Sequence, residues 1–288
     1  MSAEDPTTPA RVGVLGGGRM GAGIAHAFLL AGSAVVVVER DAAAADAAEE
    51  RIRVSLRRSI DRGATVRSFE GLVADLSLGT DAESFADREL VVEAVPEDRA
   101  LKRDSLRRIE DAVRADTAIA SNTSSISIDD LAADLRRPER FLGLHFFNPV
   151  PASALVEVVI GSETAQGLAQ SARSWVEALG KTPVVVADAP GFASSRLGVA
   201  LALEAIRMLE EGVATAADID AAMELGYRHP TGPLRTTDLV GLDVRLGIAE
   251  ELHAKLGERF APPQLLRDLV ADGHLGRKSG RGFYEWSE

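Results

Sequence analysis

The residues best suited to move a proton stand in two short stretches of this chain. His145 lies near the end of the apolar run Leu142 to Phe146, and Glu157 follows twelve positions later in Leu155-Val-Glu157. An imidazole changes protonation state near neutral pH, so His145 is the candidate general base for a hydroxyl group whose carbon gives up hydride. A carboxylate on the other ring nitrogen would orient the imidazole and stabilise its cation, and Glu157 at the next strand is the candidate for it. Ser124, within Ser121-Asn-Thr-Ser-Ser125, can hold the substrate oxygen by hydrogen bonding. Taken alone, each has a plainer reading. A histidine ending an apolar strand is more often a satisfied structural residue, and Glu157 also fits an ordinary strand carboxylate.

A second cluster is suited to holding a dinucleotide. The apolar run at Val12 to Leu15 leads directly into Gly16-Gly-Gly18-Arg-Met-Gly21 and then into a helical pattern. Gly16 permits the tight turn, Gly18 lets the backbone approach a pyrophosphate, and Gly21 allows close packing of helix on strand, with the phosphate charge at the helix N-terminus. Glu39 closes the following apolar run, where a carboxylate accepts hydrogen bonds from the adenosine ribose and repels a 2′-phosphate. That favours NAD over NADP, while Arg40 beside it is able to pair with a phosphate.

The elements that must position these residues alternate along the first two thirds of the chain. Short apolar runs predict strands over Val12 to Leu15, Ala34 to Val38, Leu90 to Val95, Ala118 to Ser121, Leu142 to Phe146, Leu155 to Ile160 and Pro183 to Ala187. Helical periodicity predicts helices over 19–31, 42–62, 99–114, 126–135 and 164–179. Strands apolar on both faces between helices give an α/β fold, a doubly wound, Rossmann-like, mostly parallel sheet. The segments Ala94-Val-Pro-Glu97, Ser121 to Ser125 and His145-Phe-Phe-Asn-Pro149 then fall at carboxyl ends of strands, where such sheets bind ligands. After Pro190-Gly191 the strand signal stops and Ala/Leu/Glu-rich segments follow, one opening at Thr215-Ala-Ala-Asp218. The expected organisation is a flexible tail over 1–10, a dinucleotide-binding domain over 11–188 and an all-helical C-terminal domain over 189–288.

Composition narrows the classes of function. The 288 residues carry a formal net charge of −12, with 46% hydrophobic and 26% charged residues and no cysteine. An acidic chain without a basic block is unsuited to nucleic acid or to an anionic membrane surface. The absence of cysteine removes disulfides and thiolate metal sites and fits a reducing compartment. The opening MSAEDPTTPA lacks the basic and apolar regions of a secretory signal, and no apolar run approaches a membrane span. A cytoplasmic protein is therefore expected. His26, His229, His253 and His274 form no cluster of metal-ligand spacing, so no metal is expected, and Phe283-Tyr-Glu-Trp286 reads as an aromatic anchor.

The set GxGxMGxGIA, VPExxxLK, SNTSS, HFFNPVP and LVEV, with GLD and GRKSGRGFY near the end, resembles the 3-hydroxyacyl-CoA dehydrogenase family over nearly the whole chain. It is most similar to the short, single-function bacterial members that act on 3-hydroxybutyryl-CoA. The resemblance implies interconversion of a (3S)-3-hydroxyacyl-CoA and the 3-oxoacyl-CoA with NAD. It makes His145 and Glu157 the catalytic pair, sets Ser124 on the substrate hydroxyl, and places Glu97, Lys102, Ser124 and Asn148 around the nicotinamide half of the cofactor. Met20 and Asn122, inside two of these motifs, join Gly16, Gly18, Gly21 and Glu39 in the implied cofactor site. It also implies a homodimer through the helical domain. One departure concerns catalysis: the family's GFxxNR appears as Gly191-Phe-Ala-Ser-Ser195-Arg196, so Ser195 stands where an asparagine is expected. Ser195 is then expected to touch the reacting group through a water. For the CoA moiety, Arg51, Ser55, Arg58 and Arg62 share one helix face, which also fits a solvated basic face. The alternatives are a dehydrogenase of 3-hydroxyadipyl-CoA, one of a free 3-hydroxy (sugar) acid, or a catalytically weak NAD-binding protein.

Overall fold

The computed structural model describes residues 7–286. They form two compact units, one running up to Asp188 and the other starting at Ala189.

The first unit is built on an eight-stranded sheet: β1 (Arg11–Leu15), β2 (Ala34–Val38), β3 (Leu76–Gly79), β4 (Leu90–Glu93), β5 (Ala118–Ser121), β6 (Phe141–Phe146), β7 (Leu155–Ile160) and β8 (Thr182–Ala187). Their order is β3-β2-β1-β4-β5-β6-β7-β8. Neighbours pair in parallel from β3 across to β6, β7 is antiparallel to β6, and β8 is parallel to β7. Helices α1 (Arg19–Leu30), α2 (Ala42–Asp61), α3 (Phe69–Ala74), α4 (Arg99–Ala112), α5 (Ile128–Ala132) and α6 (Gln166–Ala178) connect them. β4, β5 and β6 are buried at every residue, the signature of strands covered on both faces. Val12, Val14, Phe28, Val37, Leu90, Val92, Leu142 and Leu144 share one core. The order in which strands are added reverses between β1 and β4, the switch point at which open sheets of this kind form a ligand crevice.

The seven expected strands are present, and the structure adds an eighth. β3 pairs with β2 from Val35–Leu76 to Val38–Gly79 at the sheet edge. It follows α3, which Ser68 caps by accepting from the backbone of Gly71. β4 ends at Glu93 rather than Val95, because the Glu93 Oε1 takes the Val95 amide at 2.7 Å and leads it out of the ladder. α5 is shorter than the expected 126–135, with Ser127 capping it through Asp130 N. Of the expected tail, residues 1–6 lie outside the described residues. The rest is tied down: the Ser33 hydroxyl donates to Pro9 O at 2.7 Å, and Ala10 N donates to Glu89.

The second unit holds α7 (Ser194–Glu210), α8 (Ala216–Tyr227), α9 (Pro233–Val240), α10 (Leu242–Leu256) and α11 (Gln264–Ala271). Among its described residues there is no strand, only the bridges Gly276 to Arg281 and Arg281 to Glu285. Thr215 caps α8 through Asp218 N, as its position in the sequence implies. Val199, Leu203, Ile206, Leu234, Leu242 and Leu252 pack as its core. The aromatic ending is an anchor: buried Asp238 accepts from Phe283 N, Tyr284 N and the indole of Trp286. Among the described residues no helix is long and apolar enough to cross a membrane.

Candidate active site

The glycine turn after β1 is held open by its neighbours. Gly16 adopts φ +94 and donates its amide to Val38 O at 2.8 Å. No heavy atom lies within 4 Å of a Cβ placed on Gly18, whereas one on Gly21 would fall 1.7 Å from Gly16 O. The turn is thus closed behind Gly21 and open in front of Gly18, at the uncapped N-terminus of α1, whose first turn carries no acid. An anion is favoured there by both the amides and the helix dipole. Met20, half-buried on the same first turn, packs on the sheet core. At the end of β2 the Glu39 carboxylate accepts from Gly17 N at 2.7 Å, which sets it beside the turn. Arg40, the reason to consider a 2′-phosphate, pairs instead with Asp41 at 3.1 Å. These residues fit NAD: amides and a helix end for the pyrophosphate, a carboxylate for the ribose.

Further along the same edge of the sheet, the antiparallel register of β6 and β7 sets His145 directly opposite Glu157. The imidazole Nδ1 lies 2.8 Å from Glu157 Oε2, and both side chains are buried. A carboxylate partner requires the proton on Nδ1, so Nε2 carries the basic lone pair. The ring also packs on Phe147, centroids 4.4 Å apart. Asn122 at the end of β5 accepts from Phe146 N at 2.9 Å, which ties the serine loop to the histidine strand.

Glu97 organises that loop. Its Oε1 accepts from the Thr123 hydroxyl at 2.6 Å, from Ser124 N at 2.9 Å and from Ser125 N at 3.1 Å, and Ser124 Oγ lies 3.3 Å away. Lys102, near the start of α4, is buried. Its ammonium donates to Glu93 at 2.8 Å and reaches Glu97 at 3.3 Å. Burial alone would raise the Glu97 pKa, but Lys102 and these hydrogen bonds hold it below the usual carboxylate range. Burial dominates at Glu93 and pushes its pKa up, against the pull of Lys102 and Ser121. The sequence pointed to Glu97 and Lys102 and passed over Glu93, a carboxylate closing an otherwise apolar strand nine positions before a lysine. Lys102 sits beneath Glu97 as its support, and Ser124 is the hydroxyl that this support presents.

The remaining expected residues fall on several elements. Asn148 is exposed beyond β6, next to the cis peptide bond to Pro149. On α2, Arg51 reaches Gly17 O at 3.3 Å, joining the phosphate turn, while Arg58 is exposed and Ser55 half-buried. Ser195 stands on the first turn of α7 in the second unit, after Phe192, which takes a positive φ of 49°. A phenylalanine in that region is strained, and such strain gathers at functional segments. No group of three or more metal-binding side chains occurs among the described residues.

Comparison with known proteins agrees with this arrangement over both units. Residues 11–189 match the model of the 3-hydroxyacyl-CoA dehydrogenase NAD binding domain, and residues 191–286 that of the 3-hydroxyacyl-CoA dehydrogenase C-terminal domain. A 3-hydroxybutyryl-CoA dehydrogenase of Mycobacterium tuberculosis is 44% identical over 282 residues, 96% of this chain and 98% of that one. A probable 3-hydroxybutyryl-CoA dehydrogenase of Deinococcus radiodurans is 42% identical over 277 residues, 96% of this chain and all of its own. The crystal structure of (S)-3-hydroxybutyryl-CoA dehydrogenase PaaH1 from Ralstonia eutropha matches with TM-score 0.93 at 38% identity, covering 98% of this chain and 100% of that one. With a family model on each unit and these relatives over almost the full length, this chain belongs to the 3-hydroxyacyl-CoA dehydrogenase family.

Proposed function

We propose that this chain interconverts a short (3S)-3-hydroxyacyl-CoA, such as 3-hydroxybutyryl-CoA, and the 3-oxoacyl-CoA. NAD bound at the glycine turn supplies the hydride acceptor. The observation that carries the reading is the buried His145–Glu157 pair at 2.8 Å, on the same sheet edge as the Glu97-held serine loop. In the oxidative direction His145 Nε2 takes the proton of the 3-hydroxyl group. Glu157 keeps the ring in the required tautomer and balances the imidazolium that results. Ser124 holds the substrate oxygen by hydrogen bonding, and its position is fixed by the contacts of Thr123, Ser124 and Ser125 to Glu97. Ser195, with a shorter polar reach than asparagine, meets the reacting oxygen through a water. Arg51 and Arg58 face the nucleotide end of CoA, with Ser55 between them. NAD is the better fit than NADP because Glu39 is turned to the glycine turn and Arg40 is engaged by Asp41.

The test follows NADH absorbance with acetoacetyl-CoA and longer 3-oxoacyl thioesters, with NADPH as the comparison. Turnover of acetoacetyl-CoA with NADH supports the reading, and no turnover of any thioester refutes it. The chain works in the cytoplasm as a homodimer through the helical unit. Cysteine is absent, and that unit exposes the large apolar side chains Val213, Leu225, Tyr227, Leu239, Val240 and Val244, which a partner subunit would shield from water. Sedimentation at micromolar concentration should give a mass near twice the 30.5 kDa of one chain, and a monomer would refute the dimer.

A further inference from the structure

Two carboxylates share one ammonium at the switch point of the sheet. Glu93 is the last residue of β4, paired on one side with Leu15, which leads into the glycine turn, and on the other with Ser121. The three donors of the Lys102 ammonium go to Glu93 Oε1 at 2.8 Å, Val95 O at 3.2 Å and Glu97 Oε2 at 3.3 Å. No other cation pairs with either carboxylate among the described residues, so one negative charge is left over when both are ionised. The side chains of Glu93 and Lys102 are 0% and 1% exposed, that of Glu97 36%. The ammonium thus sits closer to the inner carboxylate, and the outer one keeps the surplus charge.

Burial raises the pKa of Glu93. Its two oxygens nevertheless accept from three donors, Val95 N at 2.7 Å, the Lys102 ammonium and the Ser121 hydroxyl at 2.5 Å, the pattern of an ionised carboxylate. The glycine turn and Glu39 suit the pyrophosphate and the adenosine ribose at the ends of β1 and β2. A dinucleotide lying across the switch point then has its nicotinamide half at the ends of β4 and β5. That half is where the redox forms differ in charge, the oxidised ring being a pyridinium cation and the reduced ring neutral, so a protein charge beside it acts on one form more than on the other.

We propose that Glu93 is a positioning residue for redox selectivity: by holding the Lys102 ammonium on the inner side, it leaves the Glu97 charge facing the nicotinamide half and raises the affinity for NAD+ relative to NADH. The inference rests on NAD occupying the glycine turn and goes beyond the reaction proposed above.

The experiment measures Kd for NADH by fluorescence titration and Kd for NAD+ by displacement, at pH 8 and without any thioester. It compares wild type, Glu93→Gln and the double variant Glu93→Gln/Lys102→Gln. In Glu93→Gln the lysine has Glu97 alone to neutralise, so Kd(NAD+)/Kd(NADH) should rise about fivefold or more, as for cancelling one charge in a partly buried site. Removing the lysine as well frees the Glu97 charge again, and the ratio should return to within about twofold of wild type. The double variant leaves neither partner of the buried pair uncompensated, which keeps it foldable. A purely structural Glu93 would weaken both cofactors together and leave the double variant no better than the single one. A ratio unmoved by Glu93→Gln, or one that the second substitution does not restore, overturns the proposal. Should Glu93→Gln fail to fold, the double variant decides: a ratio near wild type supports the proposal, and one moved about fivefold in either direction overturns it. Wild type that binds NADH without reducing any thioester would sink the proposed reaction and leave this test in force, whereas no NADH binding by wild type overturns both.

Discussion

At the scale of single residues, the proposed chemistry depends on which nitrogen of His145 is basic, and a cross-strand neighbour decides it. Glu157 Oε2 sits 2.8 Å from Nδ1, so replacing the base removes proton transfer while leaving the sheet intact. His145→Gln should bind NADH as wild type does and lose turnover by about 10²–10⁴-fold. Stopped-flow absorbance with cofactor titration by fluorescence checks both halves, and near wild-type rates would remove the histidine from the mechanism. Ser195→Asn restores the family's longer carboxamide. If Ser195 works at the reacting oxygen, that variant should change both kcat and the preference among acyl chains, and unchanged values would count against the role. The roles proposed for His145, Glu157 and Ser124 came from the family resemblance, and their places were legible in the sequence because each falls in or beside a short apolar run. Glu93 was not, since a carboxylate closing an apolar strand reads as a strand terminus until its partners Lys102, Ser121 and Val95 N are seen around it.

At the scale of elements, the β1–turn–α1 unit separates folding from binding within one motif. A methyl on Gly21 would meet Gly16 O at 1.7 Å, a backbone atom with no room to move, while one on Gly18 meets nothing within 4 Å. Gly21→Ala should therefore destabilise the first unit by about 2 kcal/mol or more, in the range of overpacked sites, seen as a lowered urea midpoint. Gly18→Ala should keep the wild-type midpoint and weaken NADH affinity at least tenfold, because its methyl occupies the space that the pyrophosphate needs. Equal stability loss in both variants would contradict the assignment of the open side of the turn. The long strands and helices were readable from periodicity because their burial is continuous, as in β6. β3 was not: Leu-Ser-Leu-Gly is four residues long, at an edge, with one exposed and three partly buried positions. It owes its strand conformation to pairing with β2, not to local propensity. The reversal of β7 was likewise invisible, since residue types do not encode strand direction, yet that reversal brings Glu157 opposite His145.

At the scale of the whole molecule, stability depends on a histidine outside the chemistry. His26 is buried on α1, hydrogen-bonded through Nε2 to Ser59 at 2.8 Å, with Nδ1 unpartnered. Burial first, and then the positive charge of Lys181, lower its pKa from 6.5 to about 4. The folded state thus resists a proton that the unfolded chain accepts, so this contribution is fully present above pH 6.5 and is lost as the pH falls towards 4. Between pH 7 and pH 5 the loss amounts to about 2 kcal/mol at 1.36 kcal/mol for each pKa unit crossed. Other groups add to the pH dependence of stability, among them Glu93, whose raised pKa acts in the opposite direction. The informative quantity is therefore the difference between wild type and His26→Gln, in which those groups cancel. The two tryptophans allow the measurement to be confined to the right unit, because Trp175 lies on α6 and Trp286 at the anchored C-terminus. In a Trp286→Phe background, fluorescence follows the first unit alone. Urea unfolding there should show the protein that keeps His26 losing about 2 kcal/mol more than its His26→Gln counterpart between pH 7 and 5, and parallel losses would mean that the imidazole is no more reluctant to charge inside the fold than outside it.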